Sequence, residues 1–89
     1  MKAVITVTGK DSVGIIAQVS TECAAAGANI LEISQSVLSE YFAMIMLADV
    51  GDLKLSFVEF ADRLGELGRS RGLQIHVMHE DIFNSMHRI

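Results

Sequence analysis

Residues 9–16 read Gly9-Lys10-Asp11-Ser12-Val13-Gly14-Ile15-Ile16, and they join two unlike patterns. Before them, residues 2–8 are Lys-Ala-Val-Ile-Thr-Val-Thr, rich in β-branched residues and free of turn formers. That is strand sequence. After them, Ile15, Ile16, Val19, Cys23 and Ala26 recur at helical spacing, so residues 12–26 read as a helix, stopped by Gly27. A short strand-to-helix loop leaves the first backbone N–H groups of the helix without intrahelical partners. With the positive end of the helix dipole, they make a ready site for a carboxylate or phosphate. Asp11 fits the N-cap role, since its carboxylate can accept from an N–H two or three residues on. Gly9 and Gly14 lack a Cβ, which lets the backbone turn tightly and a small ligand approach. An ordinary capped loop with nothing bound has the same local sequence, so the loop alone does not decide function.

Outward from this loop the pattern repeats. Residues 28–38 read as a second strand with imperfect alternation, Ile30-Leu31 adjacent and Ser34-Gln35-Ser36 polar. A bulge or an edge position explains both features. Ser39-Glu40 is too short for a crossover, so the third strand, residues 41–48, returns antiparallel. It is apolar on both faces, as a strand covered on both sides would be. A second helix starts between Asp52 and Ser56, and Ser56 with Glu59 has capping-box spacing. Phe57, Phe60, Ala61, Leu64 and Leu67 form its apolar stripe, and Gly72 ends it. Residues 73–79 read as a fourth strand.

Residues 80–89 place Ile82, Phe83, Met86 and Ile89 at helical spacing. Helices below about 12 residues rarely hold unaided. The tail therefore needs an apolar surface, and the third strand offers one on the sheet face away from the helices. The order βαββαβ predicts an α+β, ferredoxin-like plait: a four-stranded antiparallel sheet with two helices on one face and a short tail helix. Residues 1–79 form the domain, and 80–89 the tail, packing on that domain or on a dimer partner. The second strand lies at a sheet edge, open to a copy of itself.

Composition narrows the function classes. At 89 residues, 51% of them hydrophobic, the chain holds one core and one domain. Seven basic residues against eleven acidic give a net charge of −4, and the basic ones are scattered, which argues against nucleic acid. Arg69 and Arg71 read as helix-end cations. The single cysteine, Cys23, allows no internal disulfide or cysteine cage and reads as a small buried side chain. No signal peptide is visible, and no run approaches the ~18 apolar residues of a membrane span, so a cytoplasmic location is expected.

Chemistry-bearing constellations are weak. His76 and His79 are three apart on a strand, point to opposite faces, and cannot chelate one ion without a bulge. His87 lies on the tail. The five methionines suit gap-filling better than thioether ligation. Ser12 has no histidine at a fixed spacing, so no catalytic residue, metal or cofactor is expected. Asn29 opens the second strand, where its amide is expected to lie beside the first loop. An amide both donates and accepts, which suits the ammonium and carboxylate of an amino acid. A turn residue tolerant of unusual dihedrals is the plainer account of it.

With these residues in hand, the chain resembles an ACT domain, the small amino-acid-binding regulatory module. Asp11, Gly14, Ile15 and Ile16 match the common Asp-Arg-Pro-Gly-Leu-Leu loop, with Val13 in place of the proline. Gly27 and Asn29-Ile30 match the Gly-x-Asn-Ile signature. The likeness runs the whole length, is nearest to stand-alone short ACT proteins, and extends less closely to the ACT halves of the glycine cleavage system transcriptional repressor. It implies effector binding in place of catalysis, by Gly9, Lys10, Asp11, Ser12, Val13, Gly14, Asn29 and Ile30, often at a dimer interface. It also implies an amino acid or similar small anion as ligand, a homodimer through the second strand, and either action in trans on a protein partner or sensing or carrying of the ligand by the protein itself. An acylphosphatase-like enzyme would need an arginine in the first loop, where Lys10 is the sole basic residue. A pure protein-interaction module, with the loop empty, is the alternative.

Overall fold

The computed structural model describes residues 1–10 and 13–86. The chain forms β1 (Lys2–Gly9), α1 (Ile15–Ala26), β2 (Asn29–Leu38), β3 (Tyr41–Asp49), α2 (Phe57–Arg71), β4 (Gln74–His79) and α3 (Glu80–Met86). The strands make one antiparallel sheet in the order β2-β3-β1-β4. This is the expected ferredoxin-like plait. β2 lies at an edge, and its register slips between Ile30 and Glu32, so the irregular alternation reflects a bulge and an edge together. Ser39 and Glu40 form the two-residue hairpin, with Ser39 at φ 58° as primed turns require at their first central position.

One sheet face and two helices enclose the core. Ala3, Ile5 and Val7 of β1 and Met44, Met46 and Ala48 of β3 meet Ile15, Val19 and Cys23 of α1 and Phe60 and Leu64 of α2. Met44 and Met46 fill this core, whereas Met1 and Met86 are exposed, so gap-filling accounts for only part of the methionine content. The capping box forms at Ser56: Glu59 N–H donates to Ser56 Oγ at 3.1 Å, and Ser56 N–H to Glu59 Oε1 at 3.4 Å. Gly27 and Gly72 are the C-caps. Gly68 is buried where α2 crosses β4, and a Cβ there would stand 2.9 Å from both Ile75 Cγ1 and the Leu73 carbonyl oxygen.

The outer sheet face departs from expectation. α3 packs on β1 and β4, where it covers Val4, and not on the apolar third strand. It follows β4 with no linker, and seven residues span only about 10 Å at 1.5 Å per residue. An element that short, leaving an edge strand, covers that strand and its neighbour. β3 is interior to the sheet but shielded on one side: its buried residues alternate with exposed Tyr41, Ala43 and Ile45.

Candidate functional site

The loop after β1 leads into α1 at the end of the sheet where β1 finishes and β3 begins, Gly9 pairing with Phe42. α1 starts at Ile15, three residues later than the pattern suggests. Its N-cap is Gly14, at φ 73° and ψ 2°, with no side-chain hydrogen bond. This left-handed conformation is one that glycine adopts without Cβ strain. The expected cap, Asp11, and its neighbour Ser12 lie outside the described residues. A Cβ on Gly14 would meet nothing within 4 Å, and Val13 is 80% exposed. Among the described residues, none stands against the Gly14 side of the start of α1.

Two cations stand beside this loop. Arg71, in the last turn of α2, donates to the carbonyl oxygen of Val13 and to Oε1 of Gln18. It is a helix-end cation, as expected, but it also ties α2 to the loop and to the first turns of α1. Nothing in the local sequence marks that contact, which spans 58 positions. Lys10 Nζ lies 3.7 Å from Glu40 Oε2 and 5.6 Å from the centre of the Tyr41 ring. Lys10, Arg71, Thr8, Tyr41 and Gln74 line an open groove of ≈ 580 Å³.

Asn29 and Ile30 are not there. Asn29 pairs with Asp49, and Asp49 with Lys2, so both mark the opposite end of the sheet from the loop. Seven residue steps along β1 separate the two ends, about 23 Å at 3.3–3.4 Å per step. The expectation that Asn29 lies beside the first loop therefore fails within one chain. β1 and β2 run parallel, so the end of the first and the start of the second cannot be neighbours. Ile30 is half-buried and packs on the core.

The remaining candidates form no group able to hold a metal ion among the described residues. His76 pairs with Thr6 on the outer face. His79 pairs with Ala3 on the core side and stacks on Phe57, ring centres 4.3 Å apart. The two histidines face opposite ways, as their spacing demands, and His87 lies outside the described residues. Cys23 is buried, and burial first, then the Glu22 carboxylate, push its thiol up to about 11. Among the described residues no helix is long and apolar enough to cross a membrane.

The profile of the ACT domain matches residues 2–78. The chain belongs to the ACT domain family. A UPF0237 protein of Clostridium acetobutylicum is 51% identical over 89 residues, the whole of both chains. An ACT domain protein from Streptococcus pneumoniae superposes with a TM-score of 0.80 at 41% identity, over 93% of each chain. A putative glycine cleavage system transcriptional repressor matches at TM-score 0.69 and 25% identity, over 86% of this chain and 44% of that one. ACT domains are generally small-molecule-binding regulatory domains, so the coarse function of this chain follows from its family.

Proposed function

We infer that this ACT domain protein is a non-catalytic regulatory homodimer of the cytoplasm that binds an amino acid or similar small anion and acts in trans on a protein partner. Its ligand residues are Gly9 to Gly14 of one subunit with Asn29 and Ile30 of the other. The supporting observation is the direction of the edge strand. Two copies of β2 paired antiparallel about a two-fold axis run in opposite senses. The partner's Asn29 then stands at the end of the sheet where the first subunit has its loop. The axes of β1 and the second β2 are three strand spacings apart, about 14 Å.

The apolar surface supports the same pairing. Ile33 and Val37 lie opposite Met46 and Phe42, so they face the helix side of the sheet. They are nonetheless 42% and 71% exposed. A second β2 with its own helix layer would cover them. Residues 80–89 are a tail added to the domain of residues 1–79.

A thermal-shift screen over the amino acids and small carboxylates tests this reading. Ligand at 100 times its dissociation constant should stabilise the fold by about 2.7 kcal/mol. The exposed β2 edge also favours a ligand-free interaction module, and a flat panel with an intact dimer would carry that reading instead.

A further inference from the structure

The free edge of β2 has a length and a pattern that fit its own copy. Leu38 and Tyr41 flank the two-residue turn, so they form a hydrogen-bonded pair, and such pairs alternate along an antiparallel ladder. That alternation turns the backbone groups of Ser34 and Ser36 towards β3 and those of Ile33, Gln35 and Val37 away from it. Among the described residues these outward groups meet no other strand. The edge is regular between the register slip at Ile30/Glu32 and the turn at Ser39, a run from Glu32 to Leu38 whose midpoint is Gln35. The run holds no Lys, Arg or Pro, the residues that commonly guard an open edge.

We propose that two copies pair antiparallel along this run with the two-fold axis at Gln35, and that Gln35 sets the register. The inference rests on the homodimer reading above and names the residue pairs that build it. Ile33 then stands opposite the partner's Val37, Ser34 opposite the partner's Ser36, and Gln35 opposite the partner's Gln35. Each outward N–H and C=O of Ile33, Gln35 and Val37 meets an outward group of the partner. Gln35 pairs with Met44 in its own sheet, so its side chain is on the helix side with those of Ile33 and Val37. At the axis its amide meets an identical amide, and an amide both donates and accepts. An apolar pair of Ile33 and Val37 lies on either side of it.

Competing registers lose on the same counts. A slip of one residue sets outward backbone groups against inward ones and puts the helix-side residues opposite those of the other face. A slip of two residues keeps the faces but places Val37 against the bulge, at the partner's Leu31, or Ile33 against the turn, at the partner's Ser39. In the first case the Gln35 amide faces the partner's Ile33, in the second the partner's Val37, and in both it loses its amide partner. A single polar residue in an apolar seam specifies register in coiled coils on the same principle.

Disulfide cross-linking of the full chain in a glutathione buffer tests this, with sedimentation velocity to count subunits. Opposed residues of an antiparallel pair lie about 4.5–5.5 Å apart at Cα, within disulfide reach. Gln35→Cys should cross-link to itself at least tenfold faster than Ser34→Cys or Ser36→Cys, and an equal mixture of those two should cross-link to each other. The parent chain, with Cys23 buried, is the blank. Adding Gln35→Val to Ser34→Cys or Ser36→Cys should release the register, so that each begins to cross-link to itself. All three positions are exposed, and unchanged circular dichroism will confirm folding. Self-linking confined to Ser34→Cys or to Ser36→Cys overturns the register and leaves the homodimer through β2 standing. An unchanged pattern on adding Gln35→Val overturns Gln35 as the residue that sets it. A dimer in which no position links, or a chain monomeric at every concentration, overturns the pairing and the homodimer through β2 with it.

Discussion

The guanidinium of Arg71 donates to the carbonyl oxygen of Val13, joining the last turn of α2 to the residue before the cap of α1. The same side chain donates to Gln18, one turn into α1. Arg71→Gln should therefore loosen one loop more than it weakens the fold. At an exposed site the lost hydrogen bonds should cost about 1 kcal/mol of global stability. Hydrogen exchange at Val13 to Ala17 should quicken at least tenfold while the amides of β1 and β3 hold. A uniform change across all amides would mean the contact is ordinary packing.

Gly14→Val and Asn29→Ala probe the two ends of the sheet. Valine at φ 73° is strained by about 1–2 kcal/mol but its Cβ meets nothing within 4 Å among the described residues, so the variant should fold with a lower melting temperature. Each variant should lose the ligand response of the parent in the thermal-shift screen. In a mixed dimer, Gly14→Val on one subunit and Asn29→Ala on the other should leave one of two seams intact, with half the binding stoichiometry. Full binding by both single variants would place the ligand elsewhere.

Gly68→Ala sets helix propensity against a close approach. Alanine gains about 1 kcal/mol in a helix over glycine. Its Cβ, however, would sit 2.9 Å from the Leu73 carbonyl oxygen, a backbone atom that no rotamer change can move. Overpacking of this kind costs about 1–3 kcal/mol, so urea unfolding should show a net loss. A gain in stability would show that α2 and β4 can separate freely.

Cys23 links stability to alkaline pH. Its thiol is pushed up to about 11 in the fold, from an ordinary value of 9.0, because burial disfavours the thiolate. Below pH 9 both states keep the proton and the contribution is complete. Between about pH 9 and 11 the unfolded chain releases the proton and the folded chain does not, so stability falls as pH rises. Cys23→Ala should be less stable at pH 7 but show a shallower decline over that window in denaturant titrations. Equal slopes in the two proteins would remove Cys23 as the cause.

Much of this was readable before any coordinates. The βαββαβ order follows from period and punctuation: two-residue alternation, three-to-four-residue stripes, and Gly27 and Gly72 at the helix ends. The Ser56–Glu59 capping box is a contact between near neighbours, so its spacing alone announces it. The edge position of β2 was visible in its poor alternation, because an uncovered strand has no buried face to keep apolar.

What lies far apart in the chain was not readable. That Arg71 meets Val13, that Lys10 meets Glu40, and that both cations share a groove depend on how α2, the hairpin and the first loop converge at one end of the sheet. The seat of α3 on β1 and β4 depends on where β4 falls in the strand order. Asn29, close to the loop in the family pattern, is carried to the opposite end by the parallel course of β1 and β2. Local periodicity is set by neighbours a few residues apart, and the sequence alone determined that layer. Positions across the sheet are set by packing between elements, and only the tertiary structure decides them.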